Sequence, residues 1–361
     1  MGFTCGLVGL PNAGKSTLFT ALTGTATLIA PYPFSTLEPR KGVVSVPDDH
    51  FNRLAAALRP AKVTPAHLEV VDLAGLVEGA SRGEGLGNQF LSHMRAVDAL
   101  VHVVRCFRSG DVPHAGGEPD PGRDTGVVNT ELLLADLEVV ERRLDKIKRA
   151  ARADAKTTRG ELALLERWRD LLGRATPIRK VETAPADVPL IRELGLLTGK
   201  PMCYVANVDR ADPGSLALAE RLAAISEGAP VVAVDGKLEA DLAQLPPAEA
   251  RQFRAELGLE ESALVRLIRV GYRLLGLITF YTVVGDELRA WSLPDGATAI
   301  EAAGKIHSDM ARGFIRAEVV SVEAFLAAPV WAQLRERGAL RLEGRDYRVR
   351  DGEILTIRFA V

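Results

Sequence analysis

Apolar residues fall in short, regular runs along the chain, and each run predicts an element. Residues 3–8, FTCGLV, are continuously apolar and β-prone, which predicts a buried first strand. Just beyond a glycine-containing turn, Leu18 and Leu22, with Phe19 beside them, return at helical spacing. LEVVDLAG (68–75) reads as a strand closing on Asp72 and Gly75. From Asn129 the pattern turns strongly helical. Leu133, Leu137, Val140, Leu144 and Ile147 step by four, three, four and three, which is a coiled-coil seam. A second helix over 159–174 carries Leu162, Leu165 and Leu172, and the linker ARADAKTT predicts an antiparallel hairpin. Strand-like runs resume at PMCYVANV and APVVAVDG. From LLGLITFYTV (274–283) onward the pattern is one of hairpin strands: a turn at Asp295-Gly296, a helix over 298–310, a strand at FIRAEVVS, and paired strands in LEGRDYRVRDGEILTIRF with a turn at Asp351-Gly352.

Composition narrows the class. The chain has 361 residues, 47% hydrophobic and 25% charged, ordinary for a globular protein and too hydrophobic for disorder. No apolar run approaches the ~20 residues a membrane helix needs, so no membrane role is expected. Cys5, Cys106 and Cys203 have neither metal-ligand nor redox spacing. They read as buried small residues in a reducing, cytoplasmic compartment. The N-terminus, MGFTCGLVGLP, lacks the features of a signal peptide, and Gly6 stands where a myristoylation signal has Ser or Thr. The net charge of −2 hides a local excess. From Arg142 to Arg159 there are eight basic residues and two acids. This stretch is either a phosphate-backbone contact or a solvated helix tip.

The sharpest chemistry lies early. GLPNAGKS (9–16) fits G-x-x-x-x-G-K-[ST] between a predicted strand and a predicted helix. Glycines let main-chain N–H groups converge on phosphates, and the helix N-terminus favours anions. Lys15 is expected to reach the β/γ-phosphates and Ser16 to offer its hydroxyl to Mg²⁺. Thr36, in the proline-rich PYPFSTLEP, lies where a switch threonine belongs, and Asp72 and Gly75 form D-x-x-G. Ser16, Thr36 and Asp72 are the metal-site candidates. Gly75 would let the next loop follow the γ-phosphate. The glycine-rich run 76–89 reads as a mobile loop or a plain linker.

Two absences carry information. Leu76 occupies the place where Ras-like proteins have the water-positioning Gln, so hydrolysis must use another group or be slow without a partner. Asn12 either helps hold a monovalent cation, K⁺ being the candidate, or only shapes the loop. At 207–210 the chain reads Asn207, Val208, Asp209, Arg210, whereas guanine-specific switches have Asn-Lys-x-Asp. Arg210 offers donors alone. Guanine's N–H groups would then lack an acceptor, at a cost of about 1–3 kcal/mol for an unpaired buried donor. Adenine, read by main-chain groups near Asn207 and Val208, fits better, although Asp209 is available as a register-shifted acid.

GLPNAGKST, PYPFSTLEP, DLAGLVEGASRGEGLGNQFL, NTELLLADLEVVERRL, YVANVDR, GLITFYTV and AAGKIHSDMARGFIRAEVV together resemble the Obg-like ATPase family, also called the YchF family. The resemblance spans nearly the whole chain. It implies an α/β fold in three parts: a P-loop NTPase domain of the Ras-like (TRAFAC) type over 1–128 and 200–276, an inserted helical coiled coil over 129–199, and a C-terminal ubiquitin-like β-grasp (TGS) domain over 277–361. It implies a monomeric, Mg²⁺-dependent ATPase with slow intrinsic hydrolysis, associated with ribosomes and RNA. Nucleotide contacts are expected from Asn12, Ala13, Gly14, Lys15, Ser16, Thr17, Gly75, Asn207 and Val208. His114, in CFRSGDVPHAGGEPDP, matches the place of a loop histidine proposed for catalysis in the family and joins Lys15 as a catalytic candidate. Family members usually carry Glu where this chain has Arg210, so base recognition here leans more on main-chain contacts. Arg149, Arg152, Arg312 and Arg316 are the candidate RNA or partner contacts, with solvated surface charge as the plain alternative. A GTP-using translation-associated switch is the runner-up. An RNA- or protein-binding scaffold with little turnover, or a small-molecule kinase, would belong to another class; intact Lys15, Ser16 and Asp72 speak against the scaffold, and D-x-x-G against the kinase.

Overall fold

The computed structural model describes residues 3–24, 39–73, 86–110, 112–114, 116–150 and 159–360. Thr36, Gly75, Leu76 and Arg152 lie outside the described residues. The chain divides into two units, one from Phe3–Gly42 and Glu69–Leu267, the other from Val43–Leu68 and Ile268–Val361.

The first unit opens with β1 (Thr4–Val8), a glycine-rich turn and α1 (Lys15–Thr23). After β2 (Arg40–Ser45) the chain gives α2 (Asp49–Leu58) and β3 (Lys62–Thr64) to the second unit, then returns with β4 (His67–Asp72). There follow α3 (Leu86–Ala96), β5 (Ala99–Arg105), α4 (Pro121–Ala150), α5 (Arg159–Gly173), α6 (Val188–Leu194), β6 (Met202–Asn207), α7 (Ser215–Ile225), β7 (Val231–Val234), α8 (Gly236–Leu242), α9 (Pro247–Glu256) and α10 (Ala263–Leu274). The sheet order is β2-β4-β1-β5-β6-β7. β1 pairs parallel with β4 and β5, β5 with β6, and β6 with β7. Parallel sheets are covered on both faces, which explains the unbroken apolar runs: every residue of β5 and β6 is buried. Because the paired strands run parallel, the loops after β1, β4, β5, β6 and β7 leave from one edge, where open α/β sheets bind ligands.

The coiled-coil seam is buried as its spacing implies. Leu133, Val140, Leu144 and Ile147 of α4 pack with Leu165, Trp168 and Leu172 of α5. α4 begins earlier than Asn129, at Pro121, whose missing N–H suits a first helical position; Asp120 Oδ1 accepts from Gly122 N and Arg123 N at the same end. Gly122 and Gly126 masked this start in the sequence. The stretch 76–89 is not a loop throughout, since α3 starts at Leu86.

The second unit continues with β8 (Leu277–Val284), β9 (Glu287–Pro294), α11 (Ala299–Ile306), α12 (Ser308–Arg312), β10 (Phe314–Ser321), α13 (Val322–Ala327), α14 (Trp331–Glu336), β11 (Arg341–Glu343) and β12 (Glu353–Phe359). Its sheet order is β11-β10-β12-β8-β9-β3. Small residues of α11, Ala299, Ala302 and Ala303, let the helix sit close against Phe280, Leu293, Phe314, Val319 and Leu355, the arrangement of a TGS-like β-grasp. Three details depart from the sequence reading. The helix over 298–310 is two helices, broken at His307, whose backbone is extended and whose ring accepts from Asp309 N at 3.2 Å. β11 and β12 do not pair with each other but flank β10 on either side. β3, from far upstream, adds a parallel edge strand beside β9. Among the described residues no helix is long and apolar enough to cross a membrane.

Candidate functional site

The turn after β1 is built for close approach of main chain. Gly9 has φ 147°, and a Cβ there would stand 2.3 Å from Val103 O. Asn12 adopts a left-handed φ of 60°. Gly14, at φ 96°, caps α1, and a Cβ on it would meet Asn207 Nδ2 at 2.0 Å. The first N–H groups of α1 have no intrahelical acceptors, so this loop presents unpaired donors at the positive end of a helix, the requirement for holding phosphate.

Lys15 is 6% exposed. Its Nζ donates to Gly9 O at 3.1 Å and Leu10 O at 2.8 Å, which keeps the ammonium over the turn. Burial pulls its pKa down to about 8, partly opposed by Asp72. Ser16 Oγ donates to Asp72 Oδ2 at 2.8 Å. The other oxygen, Asp72 Oδ1, is buried without a partner. Burial raises the Asp72 pKa, against the Ser16 hydrogen bond and the charges of Lys15 and Arg40. An unpartnered carboxylate oxygen beside a hydroxyl fits a divalent cation. Mg²⁺ in particular takes one or two protein oxygens and completes its shell with phosphate and water. Ser16 and Asp72 therefore fit the metal predicted for them.

Asn207, at the end of β6, links three segments. Its Nδ2 donates to Ala13 O at 2.9 Å, and its Oδ1 accepts from Gly236 N at 3.1 Å. The predicted contacts Asn12, Ala13, Gly14, Lys15, Ser16, Asn207 and Asp72 are thus gathered at one edge of the sheet. Val208, buried, follows on the same loop. Thr17 lies in the first turn of α1. Beside this edge a cavity of about 370 Å³ is lined by Val208, Asp209, Arg210, Asp235 and Leu238, among others. Asp209 Oδ1 accepts from Ala211 N at 2.8 Å. Arg210 Nη2 donates to Leu257 O at 3.4 Å, and its main-chain N–H donates to Asp235 Oδ2 at 3.2 Å.

His114 is held, not free: its side chain is 4% exposed. Nδ1 accepts from Gly116 N at 3.0 Å, which leaves the proton on Nε2 to be donated to Asp124 Oδ2 at 2.9 Å. Arg123 completes the lock, with Nε and Nη2 on Asp124 Oδ1 at 3.1 and 3.0 Å. Asn12 Nδ2 donates to Pro113 O at 3.1 Å, so the phosphate loop and the His114 segment touch directly. Arg105, buried at the end of β5, also holds this segment through Phe107 O at 3.1 Å and Val112 O at 3.0 Å. Sequence reading missed Asp124, Arg123 and Arg105. The acid-after-base pair R-D at the start of a helix was the one signal available.

The remaining predicted residues lie elsewhere. Arg149 is exposed in the last turn of α4. Around it, Arg142 pairs with Glu138, Arg143 with Glu161 at 2.7 Å, and Lys148 with Glu166 at 3.4 Å, so part of the basic excess is balanced within the hairpin. Arg312 pairs with Asp309, and Arg316 stands 3.9 Å from Glu318. Both belong to the second unit. Cys5, Cys106 and Cys203 are buried free thiols.

Comparison with known proteins places this geometry. Residues 4–133 match the family model described as 50S ribosome-binding GTPase, and residues 277–360 match the YchF-GTPase C-terminal model, described as a protein of unknown function (DUF933). The chain is 46% identical over 363 residues to the "Ribosome-binding ATPase YchF" of Escherichia coli O157:H7 and 45% identical over 366 residues to that of Bacillus subtilis (strain 168), in both cases across 100% of each chain. The structure of the Schizosaccharomyces pombe YchF GTPase superposes with a TM-score of 0.85 at 34% identity, covering 99% of this chain and 98% of that one. With this likeness along its full length, and with a nucleotide-binding P-loop at its head, the chain belongs to the YchF family.

Proposed function

We propose that the protein is a ribosome-binding ATPase, a Mg²⁺-dependent switch whose nucleotide sits at the carboxyl edge of the first sheet. The observation that carries this reading is the meeting of Ser16 and Asp72, with one oxygen of Asp72 left buried and unpartnered, at the amino end of α1. The ribosome enters through the names of the relatives.

The chain's own residues divide the work. Gly9 and Gly14 let the loop approach the polyphosphate. Lys15, whose burial lowers its pKa to about 8, holds its ammonium over the turn through Gly9 O and Leu10 O, and phosphate oxygens beside it would favour the charged form further. Ser16 and Asp72 hold the Mg²⁺, with Thr36 as the third candidate. The metal, when bound, neutralises charge on the phosphate oxygens. Thr17 and Gly75 are assigned to the phosphate side, and Asn207 and Val208 to the base side. K⁺ is the candidate second cation at Asn12.

Adenine is favoured because Arg210, which brings donors alone, stands where guanine-specific switches have their acid, and its guanidinium reaches Leu257 O; Asp209, with Oδ1 on Ala211 N–H, is the one register-shifted acid nearby. The GTP reading keeps support from the description of the matched 4–133 family model. His114 is the candidate for orienting water. Its Nε2–H is bonded to Asp124, so that role requires this bond to open. Titrating the purified protein with Mg²⁺·ATP and Mg²⁺·GTP, with and without ribosomes, tests the whole reading. ATP is expected to bind at least tenfold more tightly, with turnover rising on ribosomes. Tighter GTP binding overturns the adenine assignment.

A further inference from the structure

At the amino end of β6, the first unit encloses a cavity of about 520 Å³. Its walls come from Asn129 on α4, the segment 177–180 at the foot of the hairpin, Met202 and Tyr204 on β6, and the turn 225–229 after α7. β6 runs from Met202 to Asn207, so at about 3.3 Å per residue the cavity lies roughly 17 Å along the strand from Asn207 and the nucleotide edge. The volume falls in the range that takes small organic ligands.

Its polar groups are incompletely matched. Arg179 Nη1 donates to Thr198 O at 3.2 Å. Among the described residues no carboxylate makes an ion pair with Arg179. The nearby charge of Asp136 is spent, with Oδ1 accepting from Leu197 N at 2.9 Å and Arg95 Nη1 at 3.4 Å, and Oδ2 accepting from Thr198 N at 2.6 Å and Thr198 Oγ1 at 2.7 Å. Asn129 Oδ1 is buried with no hydrogen-bond partner. The Tyr204 ring rests on His102, centroids 5.3 Å apart. Lys180, the other cation of the lining, is already paired with Glu227. The lining therefore presents one cation without a matching anion, one acceptor without a donor, and apolar walls from Pro177, Met202, Ile225 and Tyr204.

We propose that this cavity binds a small organic anion, its acidic head paired with Arg179 and an N–H or O–H of its body donated to Asn129 Oδ1. A half-buried guanidinium that lacks a counter-charge gives up hydration without compensation, and a carboxylate or phosphate meets its fork with two parallel hydrogen bonds. Burial lowers the Arg179 pKa, the sign of a cation held without full compensation. A bare inorganic ion satisfies Arg179 but not Asn129, and leaves the apolar walls uncovered. An organic body satisfies all three.

The test is calorimetry on the full-length protein with its nucleotide edge filled by Mg²⁺ and a non-hydrolysable ATP analogue. Three probes share a ring N–H: uridine 5′-monophosphate with a phosphate head, orotate with a carboxylate head, and uridine with neither. At least one charged probe is expected to bind, at least tenfold more tightly than uridine, and the one that binds identifies the head. Arg179→Gln is expected to weaken that binding at least tenfold. Asn129→Leu, which replaces an unpartnered acceptor by an apolar group, is expected to weaken it while leaving the melting temperature and ATP-analogue affinity unchanged. Binding of neither charged probe at millimolar concentration overturns the proposal. So does binding that survives both substitutions.

Discussion

Ser16 Oγ donates to Asp72 Oδ2 at 2.8 Å across 56 positions of chain, and this one bond joins the start of α1 to the end of β4. Lys15, the residue before Ser16, shares the same buried field, and burial pushes both ionisable groups toward neutrality. The nucleotide edge therefore carries two charges that folding alone does not reward.

Lys15→Met and Asp72→Asn should each leave the nucleotide-free protein at least as stable at pH 7, since desolvation is the largest influence on each charged group and outweighs their mutual attraction, while weakening Mg²⁺·ATP binding at least tenfold. The signs follow from linkage. The folded Lys15 pKa, about 8 against an ordinary 10.5, means the unfolded chain binds more protons between those values. Stability should thus climb from pH 8 toward 10.5 in the wild type and not in Lys15→Met. The raised Asp72 pKa works oppositely, with stability falling as pH rises through it. Thermal melts across pH, with and without Mg²⁺·ATP, check all three statements, and a lower melting temperature in both variants would contradict them.

Gly14 and Asn207 should be energetically coupled. A Cβ at position 14 falls 2.0 Å from Asn207 Nδ2 and sits at φ 96°. Gly14→Ala should therefore reduce ATP affinity at least tenfold in the wild type. Asn207→Ala should cost about 1–3 kcal/mol for each buried group left unpaired, here Ala13 O and Gly236 N. In the Asn207→Ala background the clash is gone and only the backbone cost of Gly14→Ala, about 1–2 kcal/mol, remains. A double-mutant cycle that returns strict additivity would show that the two do not press on one another.

Arg210→Ala should leave the ATP-to-GTP affinity ratio within about twofold, a change of under half a kcal/mol. The Arg210 guanidinium is directed at Leu257 O, and its link to the base-side loop is main-chain, through Asp235 Oδ2. A collapse of ATP preference would assign the side chain a direct part in base recognition.

The sheet and the hairpin were legible because their signals are periodic: parallel strands buried on both faces read as runs of Val, Leu and Ile, and the α4 seam steps by four and three. The glycine loop was legible because its spacing is set by phosphate geometry. What escaped were polar contacts between distant segments. Asp136 lies among the seam leucines like any helix-surface acid, yet it is 0% exposed and satisfies Leu197 and Thr198. His114 read as a loop histidine because Gly116, Gly117 and Pro119 surround it; its partner Asp124 lies on the first turns of α4, whose glycines hid the helix start. The extended backbone at His307 likewise interrupts an apolar pattern that continues through it. Periodicity records what faces a core, whereas such bonds depend on which segments the fold brings together.

His114→Ala should lower ATP turnover at least tenfold while leaving ATP affinity within about twofold, the pattern of a group that acts in the transition state alone. Asp124→Asn should keep the packing but weaken the hold on His114, so that amides of 107–118 exchange faster with solvent. If turnover is unchanged in His114→Ala, the His114–Asp124–Arg123 cluster is a structural clasp for the start of α4.

The basic end of the hairpin gives the last test. Arg143 and Lys148 are already paired with glutamates, whereas Arg149 is exposed in the last turn of α4. Arg149→Glu with Arg152→Glu should therefore reduce ribosome co-sedimentation, most strongly at low ionic strength, because phosphate contacts release counterions and lose affinity as salt rises. Nucleotide affinity measured without ribosomes should not move, since Arg149, in the last turn of α4, does not belong to the nucleotide edge. A salt slope that is the same in the variant and the wild type would assign the ribosome contact to another surface, with Arg312 and Arg316 of the second unit next to be reversed.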